Sequence, residues 1–412
     1  MCRRRSGEDH ARARRCTLSA EITAPVRRSG AALAAPRRLT ALRRAAPALG
    51  LFAAARLSGM LCLAVWAWHL GRSPRALLAT AWDADWYIKI AANGYGRTLY
   101  WPRGVVQSDL AFFPLYPGLM RAVTSVLPVA GGTAGLLVSW TAAGAAAWGI
   151  YAVGERLYGR RTASALVLLW GLLPHSIVLS MAYTEPVMTA LAAWALWAVL
   201  ERRWLWAGAL AALAGLSRPN AVAVAAAVTA AATVELWRQW RTRGGPGDWR
   251  VWVAGAVAPL GWCGYVLSVG VRKGDPLGGY FAVQAAWTSR FDFGVGALRF
   301  VRKIATGPVD LGYTMALLIT VAGLLLFALL LLERPPLPLL VYTAVLVLIT
   351  VGGSGFFESK PRFLLPAFPL LLPLAGALTR ARPGAAVVAT AALAGLSFAY
   401  GTYLLTLAPM AL

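Results

Sequence analysis

The 412-residue chain is 59% hydrophobic and only 14% charged, too little polar surface for a water-soluble fold of this size, and this balance places it in the membrane class. Its formal net charge of +24 would suit nucleic acid, but twelve of the forty basic residues precede Ala45, in a tail such as RRRSGEDHARARR without aromatic residues for base stacking, so no nucleic-acid partner is expected. Cys2, Cys16, Cys62 and Cys263 are scattered without short paired spacings, which argues against a zinc site or a disulfide framework.

Residues 1–45 read as a basic, disordered cytoplasmic tail, rich in Ser, Ala and Pro and without a long apolar core of the kind a signal segment carries. Residues 46–412 read as an all-α, polytopic transmembrane bundle, each crossing needing about 20 apolar residues. The first span is Ala46 to Leu70. Gly71 to Asp109 follows, too rich in Pro, Gly, Asn and charge to sit in lipid, and opens a first extracytoplasmic loop over 71–132. Within that loop FFPLYPGLMRAVTSVLP, Phe112 to Pro128, is apolar but short, is interrupted by Pro114 and Pro117 and carries Arg121, so it reads as an interfacial segment.

Further spans are expected at about Thr133 to Val153, Ala163 to Met181, Pro186 to Leu200, Trp204 to Leu216 and Asn220 to Leu236. Val251 to Val269, Leu311 to Leu332, Leu337 to Val351, Phe363 to Leu378 and Gly384 to Leu407 complete the set. That makes roughly eleven helices by hydropathy. The basic short loops GERLYGRRT, ERR, WRQWRTRGGPGDWR and TRARP alternate correctly if all are cytoplasmic, with the N-terminus inside. A second large extracytoplasmic loop then covers 270–310. No internal or inverted repeat of the kind many secondary transporters carry is visible in the sequence.

The most informative window is WDADWYIKIAANGY, Trp82 to Tyr95. Helical spacing sets Trp82 beside Trp86 and Asp83 beside Tyr87, while Asn93-Gly94 stops the helix. The product is an amphipathic juxtamembrane helix in the first extracytoplasmic loop, with rings at headgroup depth and two carboxylates, Asp83 and Asp85, aimed into polar space. Asp83 could simply cap this helix while the tryptophans form an interfacial belt. A carboxylate beside a membrane could equally accept a proton from a substrate hydroxyl, and the D-x-D spacing could hold a divalent cation against phosphate oxygens.

WDADWYIKIAANGY followed by FFPLYPGLMR resembles the first extracytoplasmic loop of PIG-V-type mannosyltransferases, a branch of the GT-C superfamily of polyprenyl- and dolichyl-phosphate-sugar-dependent glycosyltransferases. The family pattern there is Trp-Asp-x-x-Trp or x-Tyr, Ile-Ala, Gly-Tyr, then Phe-Pro-Leu-Tyr-Pro. Pro174 with SMAYTE (Ser180 to Glu185) resembles its Pro followed by Tyr-Ser/Thr-Glu. LSRPN (Leu216 to Asn220) resembles its Arg-Pro element, and KPRFLLP (Lys360 to Pro366) its Pro-Arg-Tyr/Phe stretch. The resemblance covers about residues 75–380, and the Ala/Arg/Gly-rich composition suits a bacterial member.

The resemblance implies a GT-C-like bundle that moves mannose, with inversion, from a polyprenyl- or dolichyl-phosphate donor to a hydroxyl of a glycolipid, glycan or protein, at the extracytoplasmic face of the plasma membrane. Asp83 matches the family aspartate and takes the role of general base. Asp85 stands where the family tolerates other residues and is a supporting carboxylate. Trp82, Trp86, Tyr87, Tyr183, Glu185 and Arg218 fall to substrate binding, and Arg290, Lys360 and Arg362 to the donor phosphate, which arginine contacts in bidentate fashion. Charged groups at helix ends normally face a bundle interior, so Glu185 and Arg218 are also suited to a plain structural pair, and the basic residues to headgroup anchoring. His175, in an apolar run, reads as a packed residue rather than a base. The sequence points to no definite cofactor, and a divalent cation is compatible with it. The rival from another class is a transporter or lipid flippase using the same charged groups as a path; a scaffold without an active site explains the WDADWY cluster least well.

Overall fold

A helix satisfies its own backbone hydrogen bonds, as a chain this apolar must do in hydrocarbon. The computed structural model describes residues 37–245 and 247–408 and is built almost wholly of helices. Residues 1–36 of the expected tail, with Cys2 and Cys16, lie outside the described residues. Residues 37–45 already belong to the first helix, α1 (Arg37–His69).

Six helical stretches among the described residues are long and apolar enough to cross a membrane: Ala41–His69, Gly131–Gly171, Pro219–Thr242, Trp249–Arg272, Leu311–Leu332 and Pro383–Thr406. A seventh is the pair Phe357–Leu364 and Phe368–Arg380, bent by 77°, if it counts as one span, and shorter apolar helices run over Glu185–Leu200, Trp204–Gly215 and Leu337–Gly352. The chain is a multi-pass, helical membrane protein.

Between α1 and the second long helix lie α2 (Pro74–Ala79), α3 (Asp83–Asn93), an antiparallel hairpin of β1 (Thr98–Trp101) and β2 (Val105–Ser108), and α4 (Leu115–Val126). The segment expected to be interfacial is thus a twelve-residue helix. Next, α5 (Gly131–Gly171) is interrupted at Gly159, whose φ of 81° is open to glycine without steric cost. A Cβ on Gly154 would stand 3.0 Å from the Cα of Ala163, whereas nine residues of straight helix span about 13 Å. The chain therefore doubles back here, giving two antiparallel segments as the sequence led one to expect. The second ends at Gly171, short of the expected Met181, because Pro174 removes a backbone donor and a 3₁₀ turn (Ser176–Ser180) takes over.

The remaining helices are α6 (Glu185–Leu200), α7 (Trp204–Gly215), α8 (Val222–Arg243), α9 (Trp249–Val257), α10 (Leu260–Arg272), α11 (Gly279–Ala286), α12 (Val295–Thr306), α13 (Leu311–Leu332), α14 (Leu337–Gly352), α15 (Lys360–Leu364), α16 (Leu372–Arg380) and α17 (Pro383–Thr406). A two-residue ladder joins β3 (Arg290–Phe291) to β4 (Gly353–Ser354). Small residues let the helices approach closely, as packing without a hydrophobic driving force requires. Ala146, Ala147, Ala192, Ala193, Ala207 and Ala211 are fully buried, and a Cβ on Gly261 would fall 1.8 Å from the carbonyl oxygen of Ala212. Outward, α13 and α17 expose Leu318, Leu325, Leu332, Val387 and Val388, the surface that lipid covers.

Candidate active site

Four charged side chains from distant parts of the chain meet where α3, α6, α15 and the turn after α7 converge. Asp83 opens α3, held there by Trp82, whose φ of 49° and ψ of −112° are rare for a residue with a side chain. Such backbone strain costs on the order of 1–3 kcal/mol and collects at functional sites. The helix ends as expected at Asn93, with Gly94 at φ 78°. It buries Trp86 and Tyr87 against the Phe112–Tyr116 segment: Trp86 stacks on Phe112 at 5.6 Å, and Tyr87 meets Tyr116 edge-on at 5.0 Å. Burial and, next, the neighbouring Asp83 charge push the Tyr87 hydroxyl above its ordinary pKa.

Glu185 is delivered by the break in the helix before it. Arg56 pins that break from α1, its Nη1 donating to the carbonyl of Gly171 at 2.7 Å and its Nε to Ser180 Oγ at 3.2 Å. Ser139 Oγ donates to the carbonyl of Tyr183 at 2.9 Å. Glu185 then stands in the first turn of α6, where the helix dipole favours an anion. Arg218 follows α7 in extended backbone, and Arg362 lies in the five-residue α15.

The four form one chain of ion pairs. Arg218 Nη1 lies 2.5 Å from Glu185 Oε1, Arg362 Nε lies 2.7 Å from the same oxygen, and Arg362 Nη2 donates to Asp83 Oδ2 at 2.7 Å. Glu185 is fully buried, while the Asp83 side chain keeps 22% of its surface exposed. The Arg362 guanidinium also lies 5.0 Å from the centre of the Tyr183 ring. Two carboxylates balance two guanidiniums, so the network as a whole is neutral, and its exposed end is Asp83.

Above it opens a cavity of about 380 Å³. Asp83, Arg218 and Arg362 border it, and its walls include Trp82, Trp86, Tyr87, Phe112, Trp287 and Phe363, with Gln107, Gln284, Ser217, Ser289 and Ser359 as polar points. Trp86, Phe112 and Trp287 make a cluster, Trp287 meeting Trp86 edge-on at 5.1 Å and Phe112 at 5.3 Å. The second loop contributes this wall because Trp287 Nε1 donates to the carbonyl of Ser108 and Gln284 Nε2 to that of Ala111, both at 3.0 Å.

Of the residues expected from the sequence, Asp83, Trp82, Trp86, Tyr87, Arg218 and Arg362 border the cavity, and Glu185 and Tyr183 support it from beneath. Three others stand elsewhere. Asp85 Oδ2 accepts from Lys89 at 2.7 Å and Arg97 at 3.0 Å. Burial raises its pKa, but these two partners outweigh burial and hold the carboxyl below its ordinary value. Arg97 in turn covers the Trp86 ring at 4.3 Å, so Asp85 ties the start of the β1–β2 hairpin to α3. Lys360 donates to the carbonyls of Thr350 and of Gly353, the latter at 2.7 Å, which caps the C-terminus of α14. Arg290 is exposed on β3 opposite Ser354. His175 is buried beside Tyr400, at 5.4 Å, on an apolar cavity of about 220 Å³.

A cation shared by the D-x-D carboxylates does not fit this arrangement, since Asp85 is turned to Lys89 and Arg97. Among the described residues no three His, Cys, Asp or Glu side chains gather as ligands. Sequence reasoning missed Trp287, Gln284 and Phe363. Phe363 was visible within KPRFLLP, and Trp287 as an isolated ring in a polar loop, but nothing in the sequence paired that loop with residues 107–113.

Residues 111–258 match the family model described as dolichyl-phosphate-mannose-protein mannosyltransferase. This match starts beyond Asp83 and ends before Arg362. No curated protein matches the sequence. Among solved structures, the chain is similar to the oligosaccharyltransferase of Archaeoglobus fulgidus in its apo form, with 15% identity and a TM-score of 0.43, covering 85% of this chain and 55% of that one. It is similar also to the archaeal oligosaccharyltransferase AglB from Archaeoglobus fulgidus in complex with an inhibitory peptide and a dolichol-phosphate, with 14% identity, a TM-score of 0.43, and coverage of 86% and 55%. The chain spans about half the length of these solved proteins.

Proposed function

We propose that this protein is a membrane glycosyltransferase that uses a polyprenyl- or dolichyl-phosphate-linked sugar, and that the sugar is mannose, as in the PIG-V-type enzymes its loop sequence resembles. The observation that carries the reading is the convergence of one partly exposed carboxylate and two guanidiniums on an aromatic-walled cavity at the ends of apolar helices. The match of residues 111–258 to a family model of lipid-phosphate-mannose-dependent transferases supports it.

In this reading Arg362 and Arg218 receive the donor phosphate, and the sugar packs against Trp86 and Trp287. Asp83 takes the proton of the acceptor hydroxyl as its oxygen bonds to the anomeric carbon. The bond from that carbon to the phosphate oxygen breaks with inversion, and the lipid phosphate leaves with the electron pair, its growing charge met by guanidinium. Arg362 touches both Asp83 and the cavity, so it links base and leaving group. Arg218 replaces Lys360 and Arg290 in the phosphate role because the Lys360 ammonium is spent on backbone carbonyls. The acceptor is a glycolipid, glycan or protein hydroxyl, presented at the extracytoplasmic face of the plasma membrane.

The bent pair Phe357–Leu364 and Phe368–Arg380, with Arg362 at its heart, favours a second reading as a transporter or flippase, where broken helices carry buried charge. The purified chain in nanodiscs, offered radiolabelled polyprenyl-phosphate-mannose, other lipid-phosphate sugars and sugar nucleotides together with membrane acceptors, separates the two. Transfer from a lipid-phosphate sugar alone is expected. Absence of transfer from every donor, with lipid-linked sugar crossing the bilayer of proteoliposomes, would establish the second reading.

A further inference from the structure

The helix α12 has two unlike faces. Gly296, Ala297, Phe300, Val301 and Ile304 are half-buried, with Phe300 stacked on Phe357 at 4.6 Å and tilted against Tyr313 at 4.9 Å. The other face exposes Leu298, at 71%, together with Arg299, Arg302 and Lys303. None of these three cations forms an ion pair among the described residues. Just before the helix, Phe293 is 87% exposed, held out at φ 57°. Lys303 Nζ lies 5.5 Å from the centre of the Phe300 ring, but large apolar side chains set beside cations without a carboxylate partner, on a helix without a single buried residue, are poorly suited to water.

The position of the helix says what covers them. Only residues 307–310 separate α12 from α13, the most apolar span in the chain, and a link that short reaches no more than about 15 Å. The end of α12 is therefore held near the depth where α13 enters the bilayer. We propose that residues 293–303 form an interfacial anchor for anionic lipid: Phe293 and Leu298 enter the boundary between headgroups and acyl chains, and Arg299, Arg302 and Lys303 engage headgroup phosphates.

The anchor is joined to the cavity. Arg290 pairs with Ser354 across β3 and β4, and Phe300 rests on Phe357, while the adjoining Ser289, Phe356 and Ser359 border the cavity. Lipid bound at α12 thus steadies one wall of the site.

The full chain, its four cysteines replaced by serine and a single cysteine introduced at Leu298 to carry a fluorophore, is placed in nanodiscs of phosphatidylcholine with and without phosphatidylglycerol. Quenching by lipid nitroxides set just below the headgroups is compared with quenching by aqueous acrylamide. The expected result is nitroxide quenching at least about two-fold stronger in the anionic discs, a difference that high salt reduces and that Arg299→Glu with Arg302→Glu and Lys303→Glu abolishes. Equal nitroxide quenching in both lipids overturns the proposal, and so does acrylamide access in both, which would point to a water-borne anionic partner. The salt titration on the chain with its cations intact decides the matter alone if the triple variant does not fold.

Discussion

Replacing Glu185 with Gln removes the carboxylate that both arginines share. Glu185 is fully buried between Arg218 at 2.5 Å and Arg362 at 2.7 Å. Gln still accepts a hydrogen bond but neutralises nothing, leaving Arg218 without an acidic partner and Arg362 with Asp83 alone. Breaking a buried pair from one side costs about 3–5 kcal/mol, because a charge is stranded in a low dielectric. Asp83→Asn leaves Arg362 its bond to Glu185 and acts at a partly exposed position, so its cost is about 1 kcal/mol. For a chain of 412 residues, thermal unfolding in one detergent should show Tm lowered by about 4–6 °C for Glu185→Gln and by about 1 °C for Asp83→Asn. Adding Arg218→Met to Glu185→Gln should recover part of the loss. Equal losses for the two single variants, or no loss for Glu185→Gln, would refute the division into a buried structural end and an exposed working end.

Asp85→Asn should cost at most about 1 kcal/mol, since its partners are half-exposed. Because Lys89 and Arg97 hold the folded carboxyl below its unfolded value, about 3.9, their contribution is complete above that value and fades as the pH falls through the folded one; melting curves of variant and wild type should therefore converge below about pH 4. On the Gly261 side of α10, Ala would strike the Ala212 carbonyl at 1.8 Å, an overpacking worth about 1–3 kcal/mol or more, whereas Gly264→Ala on the same helix meets nothing within 4 Å and should leave folded yield unchanged or raised. Cysteines at Tyr100 and Leu277, both exposed, should react with an impermeant reagent on intact cells and one at Gly245 should not; reversed labelling would put the site on the other face.

The long spans were readable because a bilayer demands long apolar helices, whereas four of the roughly eleven expected spans, at Pro186 to Leu200, Trp204 to Leu216, Leu337 to Val351 and Phe363 to Leu378, are three shorter helices and a bent pair. The end of α3 was readable from Asn93-Gly94, but the break at Pro174 was not: the 3₁₀ turn after Gly171 ended a span earlier than hydropathy indicated, since the residues it contains are as apolar as those of a helix. Asp83, Glu185, Arg218 and Arg362 stood out as charges at the ends of apolar runs, and the expense of a lone charge there is why they meet. Asp85 and Lys360 looked equivalent to them in sequence, yet their partners are local: Lys89 one turn on, and the carbonyls that end α14. Pairing of that kind depends on side-chain direction, which residue type and spacing do not reveal. Trp287 and Gln284 were hidden for the opposite reason, because their contacts cross between two loops far apart in the chain.

The most direct test of the account is sugar transfer from radiolabelled polyprenyl-phosphate-mannose to membrane acceptors by wild type and by Asp83→Asn at matched expression. The account predicts transfer by wild type and a loss of at least about a hundred-fold in the variant, the scale of a missing general base, with the variant folded. Undiminished transfer by Asp83→Asn would contradict the role given to this carboxylate and, with it, the cavity's assignment as an active site.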